Sequence, residues 1–155
     1  MTAPERHFDS PEQEAYLNLW RTYDHLRSLE DVLFSQHDLT AQQYNVLRLL
    51  KAAQPDGCAT LALGARLVSR APDITRMLDK LEQRGWLTRL RQPDNRRVVM
   101  VNITPAGLKL LRELQTPVTA CHQQQLGHLT PEQLQQLIEL LRLVRQPHES
   151  DASWK

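Results

Sequence analysis

Apolar residues recur at helical spacing along the first part of the chain. Tyr16, Leu19, Trp20, Tyr23, Leu26, Leu29 and Leu33 form one stripe, which predicts a helix from about Pro11 to Ser35. At ~1.5 Å per residue it is roughly 40 Å long, more than a small core needs. Tyr44, Leu47 and Leu50 predict a second helix over about 41–53, stopped by the turn sequence Gln54-Pro55-Asp56-Gly57. Two shorter helices follow, over about 60–66 and 71–84, with Leu67-Val68-Ser69 between them. In the second, Ile74, Met77, Leu78 and Leu81 mark the buried face; Asp73, Thr75, Arg76 and Lys80 mark the other. Gly85 closes it, where glycine takes a positive φ without cost. Two short helices joined in this way read as a helix-turn-helix.

The period then changes from 3.6 to 2. Trp86 to Arg91 reads as a strand, Gln92 to Arg97 as a turn, and Val98 to Ile103 as a β-branched strand. Together they form a hairpin with a charged tip. A helix follows over about 105–127, in which Pro117 predicts a kink. The last helix, about 131–145, carries Leu134, Leu137, Ile138, Leu141 and Val144. The class is therefore mainly α with a small β-hairpin. The pattern shows no repeat and no low-complexity linker.

Helix starts are written locally. Ser10-Pro11, Thr104-Pro105 and Thr130-Pro131 each pair an N-cap oxygen with a proline that needs no amide partner. Ser10, Thr40 and Thr130 have Gln13, Gln43 and Gln133 three residues on, which predicts capping boxes.

Composition narrows the class. The chain has 155 residues, 41% hydrophobic and 24% charged, which suits a folded chain of one domain. No apolar run approaches the ~20 residues of a membrane span. The polar, acidic start is no secretory signal, and two cysteines are too few for a disulfide framework. The expected location is the cytoplasm. No glycine-rich phosphate loop, nucleophile elbow or carboxylate-histidine motif points to an enzyme. The six histidines are scattered, and no His-x-x-x-His or Cys-x-x-Cys spacing supports a metal site, so neither a metal nor a cofactor is expected.

Charge changes the picture more. The total is +1, which on its face argues against a polyanionic partner. Residues 66–97, however, hold nine basic side chains against four acidic ones, a local net charge of +5. The remaining ten basic and fourteen acidic groups leave −4 elsewhere. Such a basic block is either the footprint of a polyanion or a solvated helix face.

The order of elements and two stretches of sequence resemble a known family. Ser69-Arg70-Ala71-Pro72-Asp73-Ile74-Thr75-Arg76-Met77-Leu78-Asp79-Lys80-Leu81-Glu82-Gln83-Arg84-Gly85 is similar to the recognition helix of MarR-type winged-helix transcriptional regulators. Asn95-Arg96-Arg97-Val98-Val99-Met100-Val101-Asn102-Ile103-Thr104-Pro105-Ala106-Gly107 resembles their wing and the start of the next helix. In the wing motif Asp-x-Arg-x-x-x-Val, Arg97 and Val101 match, and Asn95 stands where the aspartate would be. A neutral hydrogen bond from Asn95 is roughly half as strong as a charged one, and Asp94 is the neighbouring substitute. The glycine common between such helices is also absent from the turn between Arg66 and Ser69.

The resemblance implies a single domain over 1–155. Its winged helix-turn-helix lobe would cover 40–104, and a helical dimerisation lobe 10–36 and 105–146. It implies a homodimer that binds double-stranded DNA at a near-palindromic operator, more often to repress than to activate. Ser69, Arg70, Ala71, Pro72, Asp73, Thr75 and Arg76 would meet the major groove, and Arg96 and Arg97 the minor groove. Arg76 can donate twice to guanine. Asp73 either accepts from cytosine or caps its own helix. Arg89 and Arg91 read as phosphate contacts or solvated strand positions. The family commonly senses small aromatic acids between its two lobes, for which Trp20, Tyr23, His25, Tyr44 and Arg48 are the candidates, although aromatics at helical spacing are usually core. Members that sense oxidants use a cysteine near the start of the first helix, and none lies there. Cys58 reads as an exposed thiol in a loop and Cys121 as core. Two rivals remain: a winged-helix module for protein contacts alone, and a small enzyme. Heparin retention that falls steeply with salt would favour DNA over the first.

Overall fold

Capping chemistry sets most of the helix ends. The structure, a computed structural model, describes residues 6–69 and 73–149. Among these residues there are six α-helices: α1 (Pro11–Ser35), α2 (Ala41–Ala52), α3 (Thr60–Arg66), α4 (Ile74–Gln83), α5 (Pro105–Leu126) and α6 (Pro131–Arg145). Thr40 with Gln43 and Thr130 with Gln133 make complete capping boxes. At Ser10 only half a box forms: its hydroxyl accepts from the Gln13 amide, but the Gln13 side chain reaches back to the Asp9 amide instead, at 2.7 Å. A single 3-10 turn, Gln146–His148, follows α6.

Three strands form an antiparallel sheet in the order β1-β3-β2: β1 (Cys58–Ala59), β2 (Leu87–Arg91) and β3 (Val99–Ile103). The hairpin β2–β3 pairs Leu87 with Ile103 and Arg91 with Val99. Strand β1 is not legible as a strand in the sequence. It is two residues long and exists because β3 offers a free edge, against which Cys58 pairs with Val101. Cys58 is therefore a buried strand residue rather than an exposed loop thiol.

One helix expectation is corrected. Helix α4 starts at Ile74, not near Ala71, because the Asp73 carboxylate captures the free Arg76 amide and fixes the cap there. Helix α5 remains one helix through Pro117, which occupies an interior position.

The core is built from Phe34, Val46, Leu47, Leu50, Leu63, Leu78, Leu81, Leu87, Val101, Leu111 and Leu114. It gathers α2, α3, α4, the sheet and the first half of α5 around the C-terminal end of α1. The rest of α1 and all of α6 stay outside it. Tyr16, Trp20 and Tyr23 are each about 60% exposed, and no residue of α6 is buried.

The junction of α4, β2 and α5 turns on two small residues and a hydroxyl. Gly85 takes φ 76°, reversing the chain after α4. Gly107 lies so close to the Trp86 carbonyl that a Cβ would collide with it. The Thr104 hydroxyl donates to the Gly85 carbonyl at 2.6 Å and accepts from the Gly107 amide at 3.1 Å. Thr104→Val keeps the shape but loses both bonds. It is expected to lower the unfolding free energy by about 1–2 kcal/mol, read as a lower Tm with unchanged far-UV dichroism.

Candidate nucleic-acid interface

Helix α4 buries Leu78 and Leu81 and half-buries Ile74 and Met77. That packing leaves Thr75, Arg76 and Lys80 on the outside. Asp73 sits at the cap and is exposed, with its Oδ1 accepting from the Arg76 amide at 3.0 Å. Its capping role is thus present. Ser69 ends the segment after α3 and is exposed, and its hydroxyl oxygen accepts from Gln42 Nε2 at 2.6 Å. The hydroxyl hydrogen stays free to donate outward, while Gln42 ties the segment to α2. Arg70, Ala71 and Pro72 lie outside the described residues.

At the hairpin tip, Asn95 Oδ1 accepts from the backbone amide of Arg97 at 3.2 Å, not from its guanidinium. The neutral side chain thus shapes the turn and leaves the Arg97 side chain unclaimed. Asp94 is exposed and takes no part in holding the tip; among the described residues it makes no hydrogen bond or ion pair. Support comes instead from Arg91, whose Nη1 donates to the Arg96 carbonyl at 3.2 Å. Arg96 and Arg97 are both exposed.

The basic block sorts into two groups. Arg84 and Arg89 are committed to architecture. Arg84 donates to the carbonyls of His37 and Asp38, in the turn after α1, and lies 3.8 Å from the ring centre of Trp86. Arg89 turns inward from β2 and pairs with Asp79 and Glu82 of α4. It is neither a phosphate contact nor a solvated position. Hydrogen bonding to Glu82 first, and to Asp79, raises its already high pKa, so the charge is fixed. Arg66, Arg76, Lys80, Arg96 and Arg97, by contrast, are exposed and make no ion pair among the described residues. The inward turn of Arg89 has a signal in the sequence: it shares the face of buried Leu87, two residues earlier. Nothing local announces the contacts of Arg84.

The candidate effector residues do not converge within one chain. Tyr44 packs on Phe34 with ring centres 4.8 Å apart, and burial, its main influence, raises its pKa against the pull of nearby Arg48. Trp20 and Tyr23 lie 14 and 11 residues before Phe34 on α1, roughly 21 and 16 Å away along the helix. Trp20, Tyr23 and His25 are exposed. Burial pushes the Cys58 thiol pKa up, and Cys121 likewise, so neither is a ready thiolate.

A family model described as the MarR family matches residues 39–99, which span α2 to the start of β3. The multiple antibiotic resistance protein MarR of Salmonella typhimurium is 35% identical over 109 residues, covering 69% of this chain and 74% of that protein. A crystal structure of a MarR transcription factor from Planctomyces limnophilus is 55% identical with a TM-score of 0.70, covering 88% of this chain and 99% of that one. A single-site mutant of MarR from E. coli, solved in complex with operator DNA, is 28% identical with a TM-score of 0.72, covering 81% of this chain and 89% of that one.

Proposed function

The chain belongs to the MarR family of DNA-binding transcriptional regulators, and on that premise we propose that it is a homodimeric repressor of a near-palindromic operator. It is a regulator, not an enzyme. The observation that carries the docking is the division of the basic block. Arg76 on α4 and Arg96 and Arg97 at the hairpin tip are exposed with side chains free of partners among the described residues, whereas the Arg89 guanidinium is ion-paired and that of Arg84 is held by two backbone carbonyls and the Trp86 ring. Helix α4 is the major-groove reader, with Arg76 donating to a guanine and Thr75 and Ser69 meeting phosphates. Arg96 and Arg97 enter the flanking minor groove. Residues 40–104 form the DNA lobe; residues 10–36 and 105–146 form the dimerisation lobe. The apolar exposure of α1 and α6 supports that division, since a second copy would cover it. No helix among the described residues is long and apolar enough to cross a membrane, and the cytoplasm is where such an operator is met.

Release by a small aromatic acid completes the reading. Trp20, Tyr23 and His25 face outward on α1, and Tyr44 and Arg48 sit on α2. In a dimer, a site between the lobes would draw the two sets from different surfaces. The ligand acts by favouring a dimer state with altered spacing between the reading helices. Titration of the protein–operator complex with aromatic carboxylates tests this release.

Arg97→Ala tests the docking. It is expected to weaken operator binding and to reduce the salt slope by about one ion per subunit, with little change in base preference. Gel shifts across a salt series check it. An unchanged slope would remove Arg97 from the interface.

A further inference from the structure

The proposed docking asks two rigid parts, α4 and the hairpin, to enter neighbouring grooves at once. Something must set the angle between them. The only ion pairs that join the two among the described residues are those of Arg89. From the middle of β2, its Nη2 meets Asp79 Oδ1 at 2.5 Å and Glu82 Oε1 at 3.1 Å. The Glu82 Oε2 also accepts from the Arg89 backbone amide at 2.9 Å. One guanidinium thus bridges two carboxylates a turn apart on α4, while one of those carboxylates grips the backbone of the strand. Arg89 is 20% exposed, whereas Asp79 and Glu82 are 48% and 40% exposed. The acids therefore stand at the rim and the arginine beneath it.

We infer that Arg89, with Asp79 and Glu82, is a positioning brace that fixes the hairpin relative to α4, so that both grooves are engaged together. The inference rests on the two-groove docking proposed above. Its energetic logic is preorganisation: a hairpin held at the right angle loses less freedom on binding than one that swings. Half-exposed ion pairs add little to fold stability, so the brace can be broken without unfolding the chain.

The sign of one substitution separates this role from simple electrostatics. Glu82→Gln removes a negative charge from a DNA-facing lobe. Charge alone predicts tighter binding and a steeper salt slope. The brace predicts weaker binding, by about tenfold, to a duplex that the wild-type protein selects from a random-sequence pool. Hydroxyl-radical footprints should lose the flanking minor-groove protection while methylation protection under α4 persists. Arg89→Lys keeps the charge but loses the side-on grip on Glu82, in which Nε donates to Oε2 at 3.5 Å and Nη2 to Oε1 at 3.1 Å, and should behave like Glu82→Gln. Unchanged thermal unfolding certifies that both variants are folded; Asp79→Asn, which leaves the bonds between Arg89 and Glu82 in place, is the milder variant should either fail. Tighter binding by Glu82→Gln, or wild-type footprints in both variants, overturns the brace. If the wild-type protein itself gives no flanking minor-groove protection, the two-groove docking fails and the brace with it.

Discussion

A chain carrying Leu140→Asp and Leu143→Asp together is expected to elute as a monomer and to lose operator affinity by about 100-fold or more. Both leucines lie on one face of α6 and are 60% and 63% exposed in the single subunit. Nothing in the subunit's own core depends on them, so the monomer should fold. In the proposed dimer a second copy would bury them, at up to about 1.5–3 kcal/mol for each leucine and four leucines per dimer. The loss is on the order of 6–12 kcal/mol before the cost of burying the new carboxylates is added. Operator binding follows because two linked readers gain roughly 10²–10⁴ in avidity over one. Size-exclusion chromatography and gel shifts on the same preparations check both halves. A variant that stays dimeric would remove α6 from the interface.

The second large effect is expected from Arg76→Ala. The Arg76 side chain is exposed and unpaired among the described residues, and its backbone amide is already satisfied by Asp73, so α4 should keep its start without the guanidinium. The loss of a bidentate guanine contact costs about 1–3 kcal/mol, and a dimer makes it twice. Operator affinity should fall roughly 30-fold or more, and selection from random DNA should show base preference relaxed at one position in each half-site. Non-specific binding should change far less, which distinguishes this variant from Arg97→Ala. A selected sequence identical to that of the wild-type protein would show that Arg76 does not read a base.

The fold is legible where structure is decided by neighbours in sequence. The proline and hydroxyl residues at the starts of α1, α5 and α6 place those helices to the residue. Legibility fails where a distant partner decides. Strand β1 needs the edge of β3, some 40 residues away, and without it Cys58 looks like a loop residue. The start of α4 differs from the expected one because one carboxylate outweighs the helical pattern before it. For the candidate site, the exposed Arg76, Arg96 and Arg97 can be picked out from helix face and hairpin tip. The committed Arg84 cannot, because its partners are carbonyls in a turn more than 40 residues earlier. Charge counting treats the nine basic residues alike, whereas packing divides those among the described residues.

The contact of Arg84 with the turn after α1 has a mechanical consequence. Helix α1 is a rod of 25 residues, held by the core near Phe34 and free over the aromatic half that bears Trp20. Its fulcrum lies beside the His37 and Asp38 carbonyls that Arg84 grips, and Arg84 is the residue that ends α4. A swing of about 5° on an arm of about 20 Å displaces the far end by roughly 2 Å. Hydrogen bonds to bases tolerate only about 0.5 Å. Arg84 thus ties the base of the rod to the C-terminal end of α4. A small tilt at the base of α1 is therefore enlarged at its far end, and the base is held to α4 by a single guanidinium.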